Sequence, residues 1–187
     1  MTQSKPKPHT KLTIADVQAL GKMLIEVADL YPLTYVTERH FFPLVVAYLS
    51  GRVPGLEPEV ETKGGRIDFH LKGNNPCLLE LAVQSRKLRD VHCQDIYFPS
   101  ESARPLYASN NSPELKKLIK SKGAKTRFLL LVDLQGNYEY EKLKTGYIAT
   151  AARISGKNSV RVIYVSRDSS DKLHFCAKPK KHKKAST

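Results

Sequence analysis

The sequence lacks the features that mark secreted, membrane-spanning and nucleotide-binding proteins. Its three cysteines form no CxxC pair and leave an odd count, which argues against a disulfide framework and favours a reducing cytoplasm. No apolar run reaches the roughly 18 to 20 residues of a membrane span, and the N-terminus MTQSKPKPHTK has no apolar stretch of the kind a secretory signal needs. There is no Walker loop, no GxGxxG motif and no internal repeat. We therefore predict a cytoplasmic protein with no membrane partner.

Acidic residues are scarce as well. The chain has 18 of them against 31 lysines and arginines, which gives a net charge of +13. Lys5, Lys7 and the five lysines of the C-terminal KPKKHKK make up seven of these charges, and removing them leaves about +6 on the body (13 minus 7). We predict a disordered basic tail over residues 1–11, a single domain over 12–177 and a basic tail over 178–187. Such a surface attracts polyanions, nucleic acid first, although basic tails that only aid solubility remain the alternative.

The pattern of apolar residues predicts two helices, three strands, a helix, a strand, a helix and a strand, and Leu173 to Ala177 could form a last strand. Thr13 and Asp16 form a capping box for the first helix. Ser112-Pro113-Glu114 predicts a later helix start, and RFLLLVDL has the apolar character of a central strand buried on both faces. Residues 85–111 stay unassigned. We predict an α/β fold with a central mixed sheet flanked by helices.

A hairpin sets two acids side by side. Gly73-Asn74-Asn75-Pro76 is turn chemistry between two strands, and a turn centred on Asn74 places Asp68 opposite Glu80. Facing residues hold their Cβ atoms about 4.5–5.5 Å apart. Alternation then predicts an apolar face and an opposite polar strip. The apolar face carries Ile67, Phe69, Leu71, Leu79, Leu81 and Val83, and the strip carries Arg66, Asp68, His70, Glu80, Ala82 and Gln84.

Two adjacent carboxylates repel each other unless a cation lies between them. Mg²⁺, or Mn²⁺ in its place, is the natural cation, since Mg²⁺ is commonly held by one or two carboxylates plus waters and substrate phosphates. Asp68 and Glu80 are the predicted ligands, with the backbone carbonyl of Leu81 as a further one. The alternative is an exposed sheet face on which the two acids pair with Arg66 or Lys87.

Gly65-Arg66-Ile67-Asp68-Phe69 followed by Leu79-Glu80-Leu81-Ala82 resembles the core of the PD-(D/E)XK nuclease superfamily. The resemblance covers the element order from about Thr37 to Ser166. It implies a restriction-endonuclease-like core and metal-dependent hydrolysis of phosphodiester bonds in DNA. It also implies that Glu38, from the helix before the sheet, is a third metal ligand or orients the attacking water; the alternative is an acid that complements the helix dipole.

The chain departs from that family at one position. The family's lysine should stand two residues after Glu80, where this chain has Ala82. Arg66, which faces Ala82 in the predicted register, would supply charge but not act as a base. Lys87 and Lys63 are the other candidates, and Gln84 could orient the water or touch a phosphate. A site that has lost catalysis is the fourth possibility.

Basic residues near the acids are the predicted nucleic-acid contacts. They are Lys63, Arg86, Lys87 and Arg89. A second set is expected to be a solvent-facing surface: Lys116, Lys117, Lys120, Lys122 and Lys125. His70, His92 and Cys93 lack the spacing of a zinc site.

Three functions follow from these observations. The first is a Mg²⁺- or Mn²⁺-dependent DNA endonuclease, a homodimer by analogy with enzymes that cut both strands. The second is a non-catalytic nucleic-acid-binding protein on the same fold, or a subunit of a nuclease complex. The third is a basic protein that docks to ribosomes or to an acidic partner, and it would bind RNA without regard to Asp68.

Overall fold

A computed structural model of the protein describes residues 11–31, 38–53, 55–62, 65–84, 106–136, 138–167 and 173–180, together with the backbone of 88–89 and 95–96. The elements are α1 (Ile14–Leu30), α2 (Glu38–Ser50), β1 (Leu56–Thr62), β2 (Gly65–Leu71), β3 (Cys77–Gln84), β4 (Leu88–Arg89), β5 (Asp95–Ile96), α3 (Ser112–Lys120), β6 (Thr126–Asp133), α4 (Tyr140–Arg153), β7 (Val160–Ser166) and β8 (His174–Ala177). The predicted order of elements is confirmed, and β4 and β5 fall in the stretch that was left unassigned.

Six strands form one mixed sheet in the order β1-β2-β3-β6-β7-β8. Strands β3, β6 and β7 run parallel, and the β1–β2, β2–β3 and β7–β8 pairs are antiparallel. The predicted α/β class is therefore confirmed. The last described residue, Lys180, forms an isolated bridge with Ser155, three residues beyond the predicted end of the domain.

Local chemistry accounts for the helix starts. Thr13 and Asp16 make the predicted capping box, in which the Thr13 side chain accepts from the Asp16 N–H and Asp16 accepts from the Thr13 N–H. The N-cap of α3 is Asn111, and Ser112 is already helical, so the predicted cap is wrong by one residue. Pro113 keeps its place in the first turn, where a missing N–H breaks no helical hydrogen bond.

Helices cover both faces of the sheet. On one face, α1 and α2 pack against Phe69, Leu79 and alternate residues of β6 and β7. On the other, α3 and α4 pack against Leu78, Ala82 and the remaining residues of β6 and β7. Because both faces are covered, β3 and β6 are buried almost throughout, which explains their continuous apolar character.

One residue of the predicted apolar face lies on the opposite side. Ile67 is fully buried in the cluster that contains α3 and α4, whereas Phe69 and Leu71 lie in the cluster that contains α1 and α2. The alternation fails because the β1–β2 ladder skips the pair between Glu59 and Asp68, and Glu59 has φ of +53°. The prediction for Ile67 was therefore wrong, and the irregularity in the ladder falls at Asp68, one of the two predicted metal ligands.

None of the helices in the described ranges combines the length and the apolar character that crossing a bilayer requires.

Candidate active site

Strands β2 and β3 pair in the predicted register and then separate. Phe69 faces Leu79 and Leu71 faces Cys77, as a turn centred on Asn74 requires. The ladder ends at the Phe69–Leu79 pair, and beyond it the Asp68 carboxylate accepts a hydrogen bond from the Leu81 N–H at 2.9 Å. A side chain thus takes the place of a strand partner. The N–H and C=O of one strand residue lie on the same edge, so the Leu81 carbonyl also faces this gap.

Glu80 is a buried carboxylate beside the gap. Only 1% of its surface is exposed, and its side chain hydrogen-bonds to that of Asp68. Burial, followed by the nearby Asp68 charge, raises the pKa of Glu80 to about 9. Its Oε1 atom has no hydrogen-bond partner among the described residues. The β3 part of the predicted polar strip is not solvent-exposed: Glu80, Ala82 and Gln84 are all buried, because α3 covers that face of the sheet.

Lys117 of α3 supplies a cation to this carboxylate. Its Nζ lies 3.0 Å from Glu80 Oε1 and donates a hydrogen bond to the Arg66 carbonyl oxygen at 2.8 Å. The ammonium is only 20% exposed, so the prediction that Lys117 faces solvent with its neighbours was wrong. Lys116, Lys120, Lys122 and Lys125 are exposed as expected. Strand β3 has no cation at position 82, but Lys117 of α3 brings one to within 3.0 Å of Glu80.

Gly65 makes room for the lysine stem. It has φ of +119°, a conformation that L side chains rarely adopt. A Cβ at this position would lie 3.0 Å from Lys117 Cδ. The glycine therefore serves two purposes, since it permits the entry into β2 and lets Lys117 pass over the strand towards Glu80.

Two further acids lie within electrostatic range. Glu38, the first residue of α2, receives a backbone hydrogen bond from Val83, and its pKa is raised to about 8 by burial and then by the Asp68 charge. Glu114, one helical turn before Lys117, has an oxygen 3.9 Å from Lys117 Nζ, while its other oxygen is buried with no hydrogen-bond partner among the described residues. The structure thus brings the predicted Glu38 to the site and adds Glu114.

Arg66 does not lie where the sequence placed it. The strand register stops before it can face Ala82, and its guanidinium forms an ion pair with Glu59 of β1, which Arg39 also approaches at 3.8 Å. The Arg66 side chain is half exposed and contributes its backbone carbonyl, rather than its charge, to the site. Among the described residues, the cation beside Glu80 is therefore Lys117 rather than Arg66.

Gln84 lies on the same strand face as Glu80, at the end of β3. Its Oε1 accepts a hydrogen bond from the Tyr138 hydroxyl at 2.9 Å. That hydroxyl in turn accepts from the Leu106 N–H at 3.3 Å, which assigns its proton to the bond with Gln84. The amide is therefore oriented, with its oxygen towards Tyr138.

Several predicted contacts lie outside the described residues. Lys63, Arg86 and Lys87 are among them, as are His92 and Cys93 of the discounted zinc site. Arg89 belongs to the short strand β4, whose backbone pairs with β5.

Sequence reasoning missed Lys117 and Glu114, although a signal was present. The buried residues of α3 are Leu115, Leu118 and Ile119, and positions 114 and 117 flank that stripe at helical spacing. Residues at the border of an apolar stripe lie where a helix meets its sheet. A charged pair there, in the helix that follows the acidic strand, was the available indication.

Within the described ranges, no group of three or more His, Cys, Asp or Glu side chains is arranged to hold a metal ion. Asp68 and Glu80 are two adjacent carboxylates rather than such a group, with Lys117 on one side and the Leu81 backbone on the other. In comparisons with known proteins, no protein-family model matches the chain, and no curated protein matches it significantly.

Proposed function

We propose that the protein is a Mg²⁺- or Mn²⁺-dependent nuclease of the PD-(D/E)XK type that hydrolyses phosphodiester bonds in DNA, with Lys117 in the role of the missing lysine. The observation that carries the proposal is the 3.0 Å approach of Lys117 Nζ to Glu80 Oε1. It answers the objection that Ala82 raised, because the family's chemistry needs an ammonium beside the acidic pair and does not depend on the strand position from which it comes.

The arrangement of elements supports the resemblance. A helix that begins with Glu38 precedes the sheet, an antiparallel hairpin carries Asp68 and Glu80, and a helix then crosses to the parallel strand β6. That order is the one expected of a restriction-endonuclease-like core. The acids converge beside the end of the β2–β3 ladder, where backbone groups are free of strand partners.

The residues present fit a divalent cation held by two carboxylates. Glu80 is almost fully buried beside a second acid, and the Lys117 ammonium lies 3.0 Å from its Oε1 atom. One ammonium balances only one of the two carboxylates, so a divalent cation would reduce the repulsion that remains between them. Asp68, Glu80 and the Leu81 carbonyl would hold the ion, and Glu38 lies within electrostatic range of Asp68. When bound, such an ion polarises the phosphodiester and lowers the pKa of a bound water.

The roles of the side chains follow from their positions. Lys117 is fixed by the Arg66 carbonyl and by Glu80, so its ammonium can hold the attacking water or balance charge that develops on the phosphate. Glu38, with a pKa raised to about 8, is placed to accept a proton from that water near neutral pH. Glu114, in the preceding turn of α3, adds a further carboxylate oxygen 3.9 Å from Lys117 Nζ.

A non-catalytic nucleic-acid-binding protein is the second candidate, and one observation favours it. Lys117 already neutralises Glu80 without a metal, and the described residues contain no three-ligand group. In that case the ion pair only holds α3 to β3. This candidate predicts salt-sensitive binding and no cleavage under any metal.

A cleavage assay separates the two candidates. Supercoiled plasmid DNA, and a labelled RNA in a parallel arm, would be incubated with the protein and Mg²⁺ or Mn²⁺. We expect metal-dependent nicking of the DNA that Asp68→Ala or Glu80→Ala reduces by at least about a thousandfold. Glu61→Ala, which removes an exposed acid from the neighbouring strand β1, is the matched control and should cut normally. Cutting that survives both site variants would refute the assignment.

A further inference from the structure

Four loops meet at one end of the sheet. The hairpin of residues 72–76 precedes β3, residues 121–125 precede β6, residues 154–159 precede β7, and residues 178–180 follow β8. Because β3, β6 and β7 are parallel and β8 is antiparallel to β7, all four loops lie at the same edge. Direct contacts join them in series: Lys125 N–H to the Pro76 carbonyl, Asn158 Nδ2 to the Ser121 carbonyl, and the bridge between Ser155 and Lys180.

Among the described residues, this end of the sheet carries many cations and few acids. None of the four loops contains Asp or Glu. Seven exposed cations in or beside the loops define what we name the basic end: Lys120, Lys122, Lys125, Arg153, Lys157, Lys178 and Lys180. No ion pair between described residues involves any of the seven. The nearest acid of the hairpin side, Glu57, is paired with Lys72.

The basic end is not explained by the helix dipoles alone. Lys120 and Arg153 close α3 and α4, where cations complement the helix C-terminus. The other five lie beyond the helices. Their mutual repulsion would destabilise the fold without a compensating partner, so the concentration of charge requires another account.

The shape of the surface points to an extended polyanion. The loops of β3, β6, β7 and β8 span three inter-strand spacings, or about 14 Å, and six of the seven cations are lysines, which act as point charges rather than as a bidentate headgroup site. A membrane-docking surface would add exposed apolar side chains. The large exposed apolar residues of the described chain are Leu30, Tyr31 and Ile148, and none of them lies in these loops.

We infer that the basic end is a second nucleic-acid-binding surface, which contacts the phosphodiester backbone at the end of the sheet opposite to the end of β3 at Gln84. This surface is separate from the acids of the candidate active site and does not depend on them. It lies at the N-terminal ends of the parallel strands, whereas the predicted contacts Arg86, Lys87 and Arg89 follow the C-terminal end of β3. A duplex bound there is held by charge alone, with affinity that falls steeply with salt.

Fluorescence anisotropy with a labelled 25-base-pair DNA duplex tests the inference. All proteins carry Asp68→Asn and are measured in EDTA, so that cleavage does not interfere. One variant replaces Lys122, Lys125, Lys157 and Lys178 by glutamine. The control replaces Lys22, Lys116, Lys142 and Lys144, which lie on other surfaces, and changes the net charge by the same amount. Thermal unfolding checks that both variants fold.

We expect the basic-end variant to bind at least about tenfold more weakly near 150 mM salt. Its plot of log K against log salt should be shallower by up to about 3.6, for four phosphate contacts at about 0.9 each, while the control stays close to the parent. Equal losses in the two variants would overturn the inference, because total charge would then suffice. Binding to phosphatidylserine vesicles is measured in parallel. A variant that loses vesicle binding but keeps duplex binding would also overturn the inference. Since cleavage is not measured, this outcome is independent of whether the protein is a nuclease.

Discussion

Glu80 and Asp133 are two buried carboxylates in neighbouring parallel strands, and their surroundings differ completely. Asp133 is 0% exposed and accepts hydrogen bonds from the N–H groups of Gln135, Gly136 and Tyr138 and from the Tyr164 hydroxyl. Glu80 is 1% exposed, shares a hydrogen bond with another acid, receives no backbone donor among the hydrogen bonds of the described residues, and has the Lys117 ammonium 3.0 Å from its Oε1 atom. The first arrangement is complete without a ligand, and the second is not.

The comparison teaches how a structural acid can be told from a functional one. A buried carboxylate whose lone pairs are filled by backbone donors fixes a turn, here the connection from β6 to α4. A buried carboxylate beside a second acid and a single ammonium retains binding capacity. Burial alone does not separate the two cases, since both side chains are almost inaccessible.

The largest loss of stability should come from removing Asp133, the acid whose hydrogen bonds are complete. Asp133→Ala leaves three N–H groups and one hydroxyl without their acceptor, and we expect it to lower the free energy of unfolding by about 3–5 kcal/mol. Glu80→Gln should cost little or raise stability at pH 8, because a neutral amide replaces an acid that resists ionisation. Urea denaturation measures both, and equal losses would erase the distinction drawn between them.

Replacing Lys117 should slow cleavage, whereas replacing its neighbour Lys116 should not. Lys117→Met removes the ammonium beside Glu80, and we expect metal-dependent cleavage to fall by about 10²–10³-fold with little change in KM. Lys116→Met changes an exposed lysine of the same helix and should retain full activity. The comparison is made in single-turnover assays under Mg²⁺, and similar rates for the two variants would remove Lys117 from the mechanism.

Gly65 and Gly73 offer a matched pair of positive-φ glycines. Gly65→Ala and Gly73→Ala impose similar backbone strain, at φ of +119° and +114°, and each should cost about 1–3 kcal/mol. Only the first pushes against Lys117, since a Cβ at Gly73 meets nothing within 4 Å. Equal destabilisation with reduced cleavage in Gly65→Ala alone is the expected result, and a similar fall in both variants would mean that the Lys117 path is irrelevant.

A pH dependence of stability without metal compares the same acids by their protonation. The pKa values of Glu80 and Glu38 are raised to about 9 and about 8 in the folded protein, from 4.5. The folded state therefore binds more protons between those limits, and stability falls as pH rises. Each group contributes a loss of up to about 1.4 kcal/mol per pH unit in this range, so we expect the free energy of unfolding to be lower by a few kcal/mol at pH 8 than at pH 6, with a correspondingly lower Tm. Glu80→Gln should flatten this trend in EDTA, and an unchanged slope would place the titration elsewhere.

Local chemistry made much of the fold predictable from sequence. The turn residues at 73–76 fixed the register of β2 and β3, because side chains alternate and one centre determines every pair. The apolar pattern likewise identified β6 and β7. The skipped pair at Asp68 was not predictable, since the positive φ of Glu59 breaks the alternation that the prediction for Ile67 assumed.

The site was predictable only in part, for a related reason. Asp68 and Glu80 follow from strand register, and Glu38 was implied by the resemblance to a nuclease family. The cation does not, because the distance from Lys117 to Glu80 depends on how α3 lies across the sheet, which no local pattern specifies. Arg66 was favoured by register alone, and the ion pair with Glu59 of the edge strand β1 draws it away from the site.

Metal-induced stabilisation tests the central claim most directly, since it asks whether Glu80 contributes to binding Mn²⁺ and Asp133 does not. Thermal unfolding at pH 8 would be followed with increasing Mn²⁺ for the parent, Glu80→Gln and Asp133→Asn. We predict that Mn²⁺ at about a hundredfold excess over Kd adds about 2.7 kcal/mol and raises the Tm of the parent by roughly 5–10 °C. Asp133→Asn should show the same rise from a lower starting Tm, and Glu80→Gln none. A parent without any Mn²⁺ response, or an equal rise in Glu80→Gln, would contradict the account.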